Sequence, residues 1–509
     1  MLHRILIANR GEIAVRIIRA CRELGLESVA VFSDADAASP HVSLADRAIR
    51  IGPPPAAESY LSMDAILDAA LHSGCDAVHP GYGFLSENDA FAARCAEAGL
   101  VFIGPPVEAI ARVGSKVAAR EMAQAAGVPV VPGETPADQD DEAIAAAARR
   151  VGFPVLLKPS EGGGGIGMKV VRAESELIPG IQQGRREAIA AFGDGRLYVE
   201  RLVERPRHVE IQVFADAHGQ VVHLFERECS IQRRHQKVIE ETPSTALTPA
   251  LRARMGEAAV AIARAAGYRN AGTVEFLLAG AEAPAYAGTG GASDPQFYFL
   301  EMNTRLQVEH PITEQVVGVD LVQAQLAVAS GLPVPWPQKQ LSQRGHAIEA
   351  RIYAEDAARH DLPQAGPLLL YREPRMPGIR IDSGVVEGGE VAVHYDPMIA
   401  KVIATAETRE QARRRLATAL RQFPILGVRT NVAFLLNILE HPGFVAGDID
   451  TGLLDREAGT LRPRADVEPP AEVAAVATAI HGATPSGRPD ASGQAAAPDP
   501  WTSLRGARV

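Results

Sequence analysis

Apolar residues follow two rhythms along the first part of the chain. Ile5–Ala8 is an unbroken apolar run. Ile13, Ile17, Ile18, Cys21 and Leu24 then recur at helical spacing, which predicts a strand followed by a helix over Glu12–Leu24. The alternation continues with strands at Ser28–Phe32, Ala77–His79 and Val101–Ile103, and helices at Met63–Ser73 and Phe91–Ala98. Strands alternating with helices predict a parallel sheet covered on both faces, with ligands beyond the carboxyl ends of its strands.

The rhythm then changes. Lys116–Ala126 has helical spacing and leads into a Gly/Pro-rich turn at 127–133. The chain divides into an α/β unit at 1–113, a linker helix at 114–133 and a unit at 134–203 with a glycine-rich loop between two strands. A mixed unit rich in β-branched runs follows at 204–455, and then a tail at 456–509. From about residue 465 Ala, Pro, Gly and Ser dominate, so most of the tail is expected to be flexible, with one short helical pattern at Glu472–Ile480.

Composition narrows the class. The 509 residues exceed the roughly 250–300 that one core supports, so several domains are expected. With 47% hydrophobic and 22% charged residues, the chain needs no disulfide or metal staple to fold. A net charge of −11 argues against nucleic acid as a partner. Cys21, Cys75, Cys95 and Cys229 form no CxxC pair, so buried thiols in a reducing compartment are expected rather than a zinc site. No signal-peptide layout and no apolar stretch of roughly 18–20 residues is present, which predicts a cytoplasmic protein without a membrane span.

Four segments carry candidate chemistry. In Lys158-Pro-Ser-Glu-Gly-Gly-Gly-Gly-Ile-Gly-Met168, a glycine run lies between the strands Val155–Leu157 and Lys169–Val171. It lacks the Gly-Lys-Ser/Thr ending of a phosphate-binding P-loop, and reads either as a hairpin whose free N–H groups close over phosphates or as a plain surface hairpin. Gly272–Leu277 and Phe297–Asn303 are alternating strands on which Glu275, Glu301 and Asn303 can converge; their oxygens suit magnesium, or else they are solvent-facing acids. In Thr304–Pro311, Arg305 suits a small oxyanion, Gln307 adds a hydrogen bond and Glu309 can accept a proton. Drawn extended, the chain puts all three on one face; the alternative is a surface charge pair. Gln232-Arg-Arg-His-Gln-Lys237 is a cationic cluster suited to phosphate charge, or a solvated face.

In this order the segments resemble the biotin carboxylase family of the ATP-grasp enzymes. Ile7–Ala14, His79–Asn88, Pro206–Gln212, Glu301–Arg305, Arg344–Arg351 and His394–Met398 are similar to six of its motifs, and the likeness spans residues 3–455. It implies an α/β and α+β multidomain fold: a parallel N-terminal α/β domain, an ATP-grasp fold with a glycine-rich lid, and a mixed C-terminal domain. Carried over position by position, it implies ATP contacts at Lys116, Lys158, Glu200, Val203, His208 and Leu277, with Gly162, Gly163, Gly164 and Gly165 as the lid loop. Gln232, His235 and Lys237 fall near the phosphates, and Glu275, Glu301 and Asn303 at magnesium or manganese. Arg305, Gln307 and Val308 fall at bicarbonate, Glu309 is the base, and Arg351 lies beside the biotin enolate.

The implied reaction is ATP-dependent carboxylation of biotin through carboxyphosphate. There is no Met-Lys-Met biotin-attachment motif, so the expected partners are a separate biotin carrier protein or domain and a carboxyltransferase subunit, with the chain a homodimer or part of a larger complex. The chain departs from the family pattern at Ser115, Arg120, Glu161, Ile166, the 279–296 insertion and Leu362–Gly366. Two other readings share part of this pattern. A carboxylate–amine ligase of the same fold would not need Arg305, Gln307, Glu309 and Arg351 together. A non-catalytic nucleotide-binding subunit would tolerate loss of a metal acid or of Glu309, and none is lost.

Overall fold

The computed structural model describes residues 2–160, 166–234, 236–280 and 295–464. Ile5, Leu6 and Ile7 are fully buried in β1 (Arg4–Ile7), as an unbroken apolar run requires when helices cover both faces. β1 pairs in parallel with β2 (Glu27–Ser33) and with β4 (Ala77–His79). β3 (Arg47–Gly52) and β5 (Val101–Phe102) complete a five-stranded parallel sheet in the order β3-β2-β1-β4-β5. Helix α1 (Gly11–Glu23) follows β1 and buries Ile13, Ile17, Ile18 and Cys21, the spacing seen in the sequence.

The predicted helix Met63–Ser73 has those bounds, because Ser62 caps its start and Gly74 ends it in the left-handed region at φ 66°. The predicted strand Ala77–His79 also has its predicted bounds, and the other predicted elements of this unit shift by one or two residues at an end. β3 carried no clear apolar run: it is an edge strand that exposes Arg47, Ala48 and Arg50.

A second, four-stranded antiparallel sheet joins β6 (Gly133–Glu134), β9 (Leu197–Arg201), β7 (Val155–Pro159) and β8 (Lys169–Val171) in that spatial order. Helices Asp141–Val151 and Leu177–Phe192 cover it through Ile144, Leu157, Ile181 and Val199. The glycines of the β7–β8 connection, Gly162–Gly165, lie outside the described residues.

The third sheet is the largest. Eight antiparallel strands run in the order β14 (Gln296–Asn303), β13 (Asn270–Ala279), β10 (Arg207–Ala215), β11 (Val221–Arg233), β12 (Gln236–Thr242), β15 (His346–Tyr353), β17 (Met398–Ala406) and β16 (Ile379–Ser383). Alternation divides its faces. Val209, Ile211, Val274 and Phe276 pack against helix Pro249–Ala266, and Ile348, Ala350, Ile352 and Val402 join the core containing Leu416 and Leu420 of helix Arg409–Arg421. The residues between them face the other way, and many are charged. The Ala/Gly-rich insertion connects β13 and β14; its residues 281–294, like the tail from 465 and the helical pattern at Glu472–Ile480, lie outside the described residues.

All three sheets belong to one packed unit, Met1–Pro463. The four cysteines are free and buried. Among the described residues no helix is long and apolar enough to cross a membrane.

Candidate active site on the charged face of the antiparallel sheet

Strand register builds the centre of the site. Paired positions place Arg227, Glu210, Glu275 and Glu301 in one transverse row across β11, β10, β13 and β14, and Gln212, Thr273 and Asn303 in the next row. All lie on the face opposite Val209 and Phe276, and Glu275, Glu301 and Asn303 among them border a cavity of about 1250 Å³. Asn303 Nδ2 donates to Glu275 Oε1 (2.9 Å), and Gln307 Nε2 reaches the same oxygen (3.2 Å). The expected convergence of Glu275, Glu301 and Asn303 is therefore formed by register.

This donor set fits a hard divalent cation, with two carboxylates opposite each other and an amide oxygen beside them. Burial and the facing Glu275 carboxylate raise the Glu301 carboxyl above its ordinary range, a repulsion that a cation between them would relieve.

A single ammonium organises the acids. Lys237 Nζ lies 2.5 Å from Glu210 Oε2, 2.9 Å from Glu275 Oε1 and 2.6 Å from Glu309 Oε1. Arg351 of β15 donates to the other Glu309 oxygen (2.8 Å) and through Nε to Glu240 (2.7 Å). Fully buried Arg227 holds Glu210 and reaches Gln212, Thr313 and Thr273. Burial pushes the Glu309 carboxyl up, but Lys237, Arg351 and Arg227 outweigh it and hold the group well below the carboxylate range. Glu309 is therefore ionised at neutral pH.

Residues 305–309 are not extended throughout, contrary to what their alternation predicts. The chain turns at Val308–Glu309, and helix His310–Val317 begins at once, because Pro311 in its first turn favours helix entry. Arg305 and Gln307 still meet, with Nη1 to Oε1 at 2.7 Å, and Arg305 also donates to Asn303 Oδ1 (3.2 Å) and Glu87 Oε2 (2.8 Å). Glu309 reaches Lys237 and Arg351 by the turn rather than by strand alternation.

The opposite wall is cationic. Lys158 of β7 contacts Glu200 Oε2 of β9 (2.9 Å), and Arg120 contacts Glu200 Oε1 (2.7 Å). Burial lowers the Lys158 pKa, but Glu200 and Tyr198 raise it by more, so the group remains charged. Burial lowers the Lys116 pKa, and Glu301 opposes that shift. Val203, Leu277, Gln232 and Val308 also line the cavity. His208 Nε2 lies 2.9 Å from Glu275 Oε2; burial lowers its pKa, and Glu275 more than offsets this.

The cationic cluster at 232–237 is largely dismantled by the structure. Gln232 and Lys237 pair across the β11–β12 hairpin, but Arg233 turns away into Glu355 (2.7 Å) and Asp361 (2.5 Å), and Arg234 is exposed with φ 48°. His235 lies outside the described residues. Glu210, Glu240 and Arg227 were missed as site residues. The alternation His208-Glu210-Gln212 within one motif was the signal for Glu210, whereas Arg227 and Glu240 are identified only by strand pairing.

A small sheet closing over acids on a large antiparallel sheet, with lysines from both sides, is the ATP-grasp arrangement. Three family models match the chain: Biotin carboxylase, N-terminal domain, over residues 1–110; Carbamoyl-phosphate synthase L chain, ATP binding domain, over 115–336; and Biotin carboxylase C-terminal domain, over 349–456. The chain is 50% identical to the biotin carboxylase of Halalkalibacterium halodurans over 454 residues, 89% of this chain and 97% of that one. It is 49% identical to the mitochondrial methylcrotonoyl-CoA carboxylase subunit alpha of Oryza sativa subsp. japonica, covering 90% of this chain but 61% of that longer protein. The crystal structure of the biotin carboxylase domain dimer of Hydrogenobacter thermophilus 2-oxoglutarate carboxylase, in complex with MgADP, ADP and bicarbonate, superposes with a TM-score of 0.85. It is 41% identical and covers 92% of this chain and all of that one. The chain belongs to the biotin carboxylase family.

Proposed function

We propose that the cavity carboxylates biotin borne on a separate carrier, with Glu309 as the base that starts the reaction. As a biotin carboxylase, the chain is an ATP-dependent ligase that forms the C–N bond of carboxybiotin from bicarbonate. The observation that carries the assignment to Glu309 is its position: a fully buried carboxylate held between Lys237 and Arg351, on the floor of the cavity that also contains the acid row and Lys116 and Lys158.

Each residue then has a task. Arg305 and Gln307, with Val308, hold bicarbonate, and Glu309 takes its proton. A bicarbonate oxygen attacks the γ-phosphorus of ATP, and the bond to the leaving ADP oxygen breaks. Lys116, Lys158 and Lys237 oppose the charge of the transferring group, with Gln232 beside it, while Glu200, Val203, His208 and Leu277 hold the nucleotide; His235, which the resemblance adds to this set, lies outside the described residues. Magnesium, or manganese, would be held by Glu275, Glu301 and Asn303 and would supply positive charge beside the phosphates.

Carboxyphosphate splits into CO2 and phosphate. Phosphate takes the ureido proton of biotin, and the nitrogen attacks CO2 while Arg351 stabilises the enolate oxygen. The family resemblance assigns the exclusion of water from the intermediate to Gly162–Gly165, which lie outside the described residues. A carboxylate–amine ligase would have no use for the Arg305, Gln307, Glu309 and Arg351 set. The partners this reading requires are a biotin carrier and a carboxyltransferase, and a homodimer is the proposed assembly.

The test is phosphate release from ATP with magnesium and bicarbonate, with and without free biotin, and then with a biotinylated carrier domain. Stimulation by either acceptor that depends on bicarbonate and is lost in Glu309→Gln supports the reading. Stimulation that survives Glu309→Gln removes Glu309 from its role.

A further inference from the structure

One buried ion cluster beneath the cavity has no task in the reaction above. Lys401 of β17 is fully buried, and its ammonium donates to the Val308 carbonyl (2.8 Å). It contacts Glu12 Oε1 of α1 (3.0 Å), with Asp382 Oδ2 at 4.0 Å. The Glu12 carboxylate also accepts from the Tyr82 hydroxyl, and Tyr82 lines the cavity. Glu12 and Tyr82 sit in two of the sequence motifs, Ile7–Ala14 and His79–Asn88.

Strand register shows what this arrangement does. Lys401 is the direct cross-strand partner of Arg351. The two cations come from adjacent strands and hold successive residues of one turn: Arg351 holds the Glu309 carboxylate, and Lys401 holds the Val308 carbonyl. His310 Nδ1 holds the Gln307 carbonyl (2.8 Å) one residue earlier.

The Val308 carbonyl and the Glu309 N–H belong to one planar trans peptide and point in opposite directions. Fixing the carbonyl on Lys401 therefore fixes where that N–H points and where the Glu309 side chain begins. Burial lowers the Lys401 pKa, but the neighbouring carboxyl groups, Glu12 foremost, raise it by more. The anchor is also rigidly seated. A Cβ on Gly384 would lie 2.5 Å from the Glu12 nitrogen, so the segment after β16 packs directly against the start of α1.

We propose that Lys401 is a positioning residue of the carboxylation reaction, holding the Val308–Glu309 peptide through the Val308 carbonyl with Glu12 as its counter-ion. The proposal rests on the assignment of Glu309 as the base. It ties the N-terminal α/β layer, through Glu12 and Tyr82, to the geometry of the bicarbonate end of the cavity.

The test compares Lys401→Met, the charge-balanced double variant Lys401→Met/Glu12→Gln and Glu309→Gln in bicarbonate-dependent, biotin-stimulated ATP cleavage. KM for ATP, KM for bicarbonate and thermal unfolding are measured in parallel. Loss of a charge-assisted hydrogen bond that orients the site predicts a fall of about tenfold to a hundredfold in kcat/KM for bicarbonate, with a raised bicarbonate KM. KM for ATP should stay within about twofold. The double variant leaves no uncompensated charge between the two positions, so it should fold even if Lys401→Met does not.

A bicarbonate kcat/KM within about twofold of the unmodified chain overturns the proposal. A uniform loss of kcat with both KM values unchanged, or failure of both Lys401 variants to fold, overturns it as well by reducing Lys401 to a residue of the fold. If Glu309→Gln remains active, the base assignment fails instead, and that result is read separately from the Lys401 variants.

Discussion

The parallel and antiparallel sheets bury very different residues. The parallel sheet buries Ile5, Leu6, Ile7, Val29 and Val31, all apolar. The antiparallel sheet buries Glu210, Arg227, Glu240, Glu349 and Lys401 at 0% exposure. In the first, both faces meet helices, so a charge would have no partner. In the second, one face meets apolar helices and the other carries charges that meet partners, Arg227 with Glu210 and Arg351 with Glu240 across strands and Lys401 with Glu12 of α1. Burial raises the Glu349 carboxyl, which has no hydrogen-bond partner among the described residues, well above its ordinary range. Burying an ion without a partner costs several kcal/mol, so those positions must be filled as a set. Substitutions in the first sheet should therefore alter stability alone, and substitutions on the charged face of the second should alter activity.

The largest effect should come from Glu309→Gln, which removes the proton acceptor but keeps its size; kcat is expected to fall by about a hundredfold to ten-thousandfold, with a lowered unfolding midpoint because a carboxylate held below its ordinary range contributes stability at neutral pH. Steady-state phosphate release and thermal melting on the same samples check both halves. Arg227→Met should lower stability by about 3–5 kcal/mol, because Glu210 is left buried with Lys237 alone. It should also lower activity by drawing Lys237 from Glu309. Denaturant titration beside kinetics would sharpen the contrast, and full activity in the folded variant would break it.

A third case lies on the antiparallel sheet but away from the cavity. Burial pushes the Glu241 carboxyl up, yet Arg409 and His346 outweigh it and bring it down to about 2. A depressed folded pKa stabilises above the unfolded value, near 4.3, and that contribution is lost as pH falls from there through about 2. Glu241→Gln should remove a stability term on the order of 1–3 kcal/mol from that acid limb and leave kcat unchanged. The smallest effect is expected of Ile7→Val in the parallel sheet, about 0.5–1.5 kcal/mol, with unaltered KM for ATP and bicarbonate. A kinetic effect there would mean that the two sheets are not independent.

The two sheets also differ in how well the sequence revealed them. Ile5–Ala8 and the helix after it were legible because an apolar run followed by helical spacing has few other solutions. Glu275, Glu301 and Asn303 were legible as members of alternating strands. Arg233 was misjudged as a phosphate-facing cation because its partners, Glu355 and Asp361, are more than a hundred residues away. Residues 305–309 were drawn extended because alternation of polar residues cannot by itself distinguish a strand from a turn that leads into a helix.

The sequence by itself determined the strand–helix rhythm, the apolar core of the parallel sheet and the residue types of the site, because these depend on local spacing and composition. It also identified the family through motifs in one order. Only the tertiary structure decided which charges meet: that Glu210, Glu275 and Glu301 share a row, that Lys237 bridges three carboxylates, and that Lys401 lies beside Arg351 under the Glu309 turn. The physical reason is that ion pairing depends on distance in space. Antiparallel register brings together residues that local sequence patterns treat as unrelated.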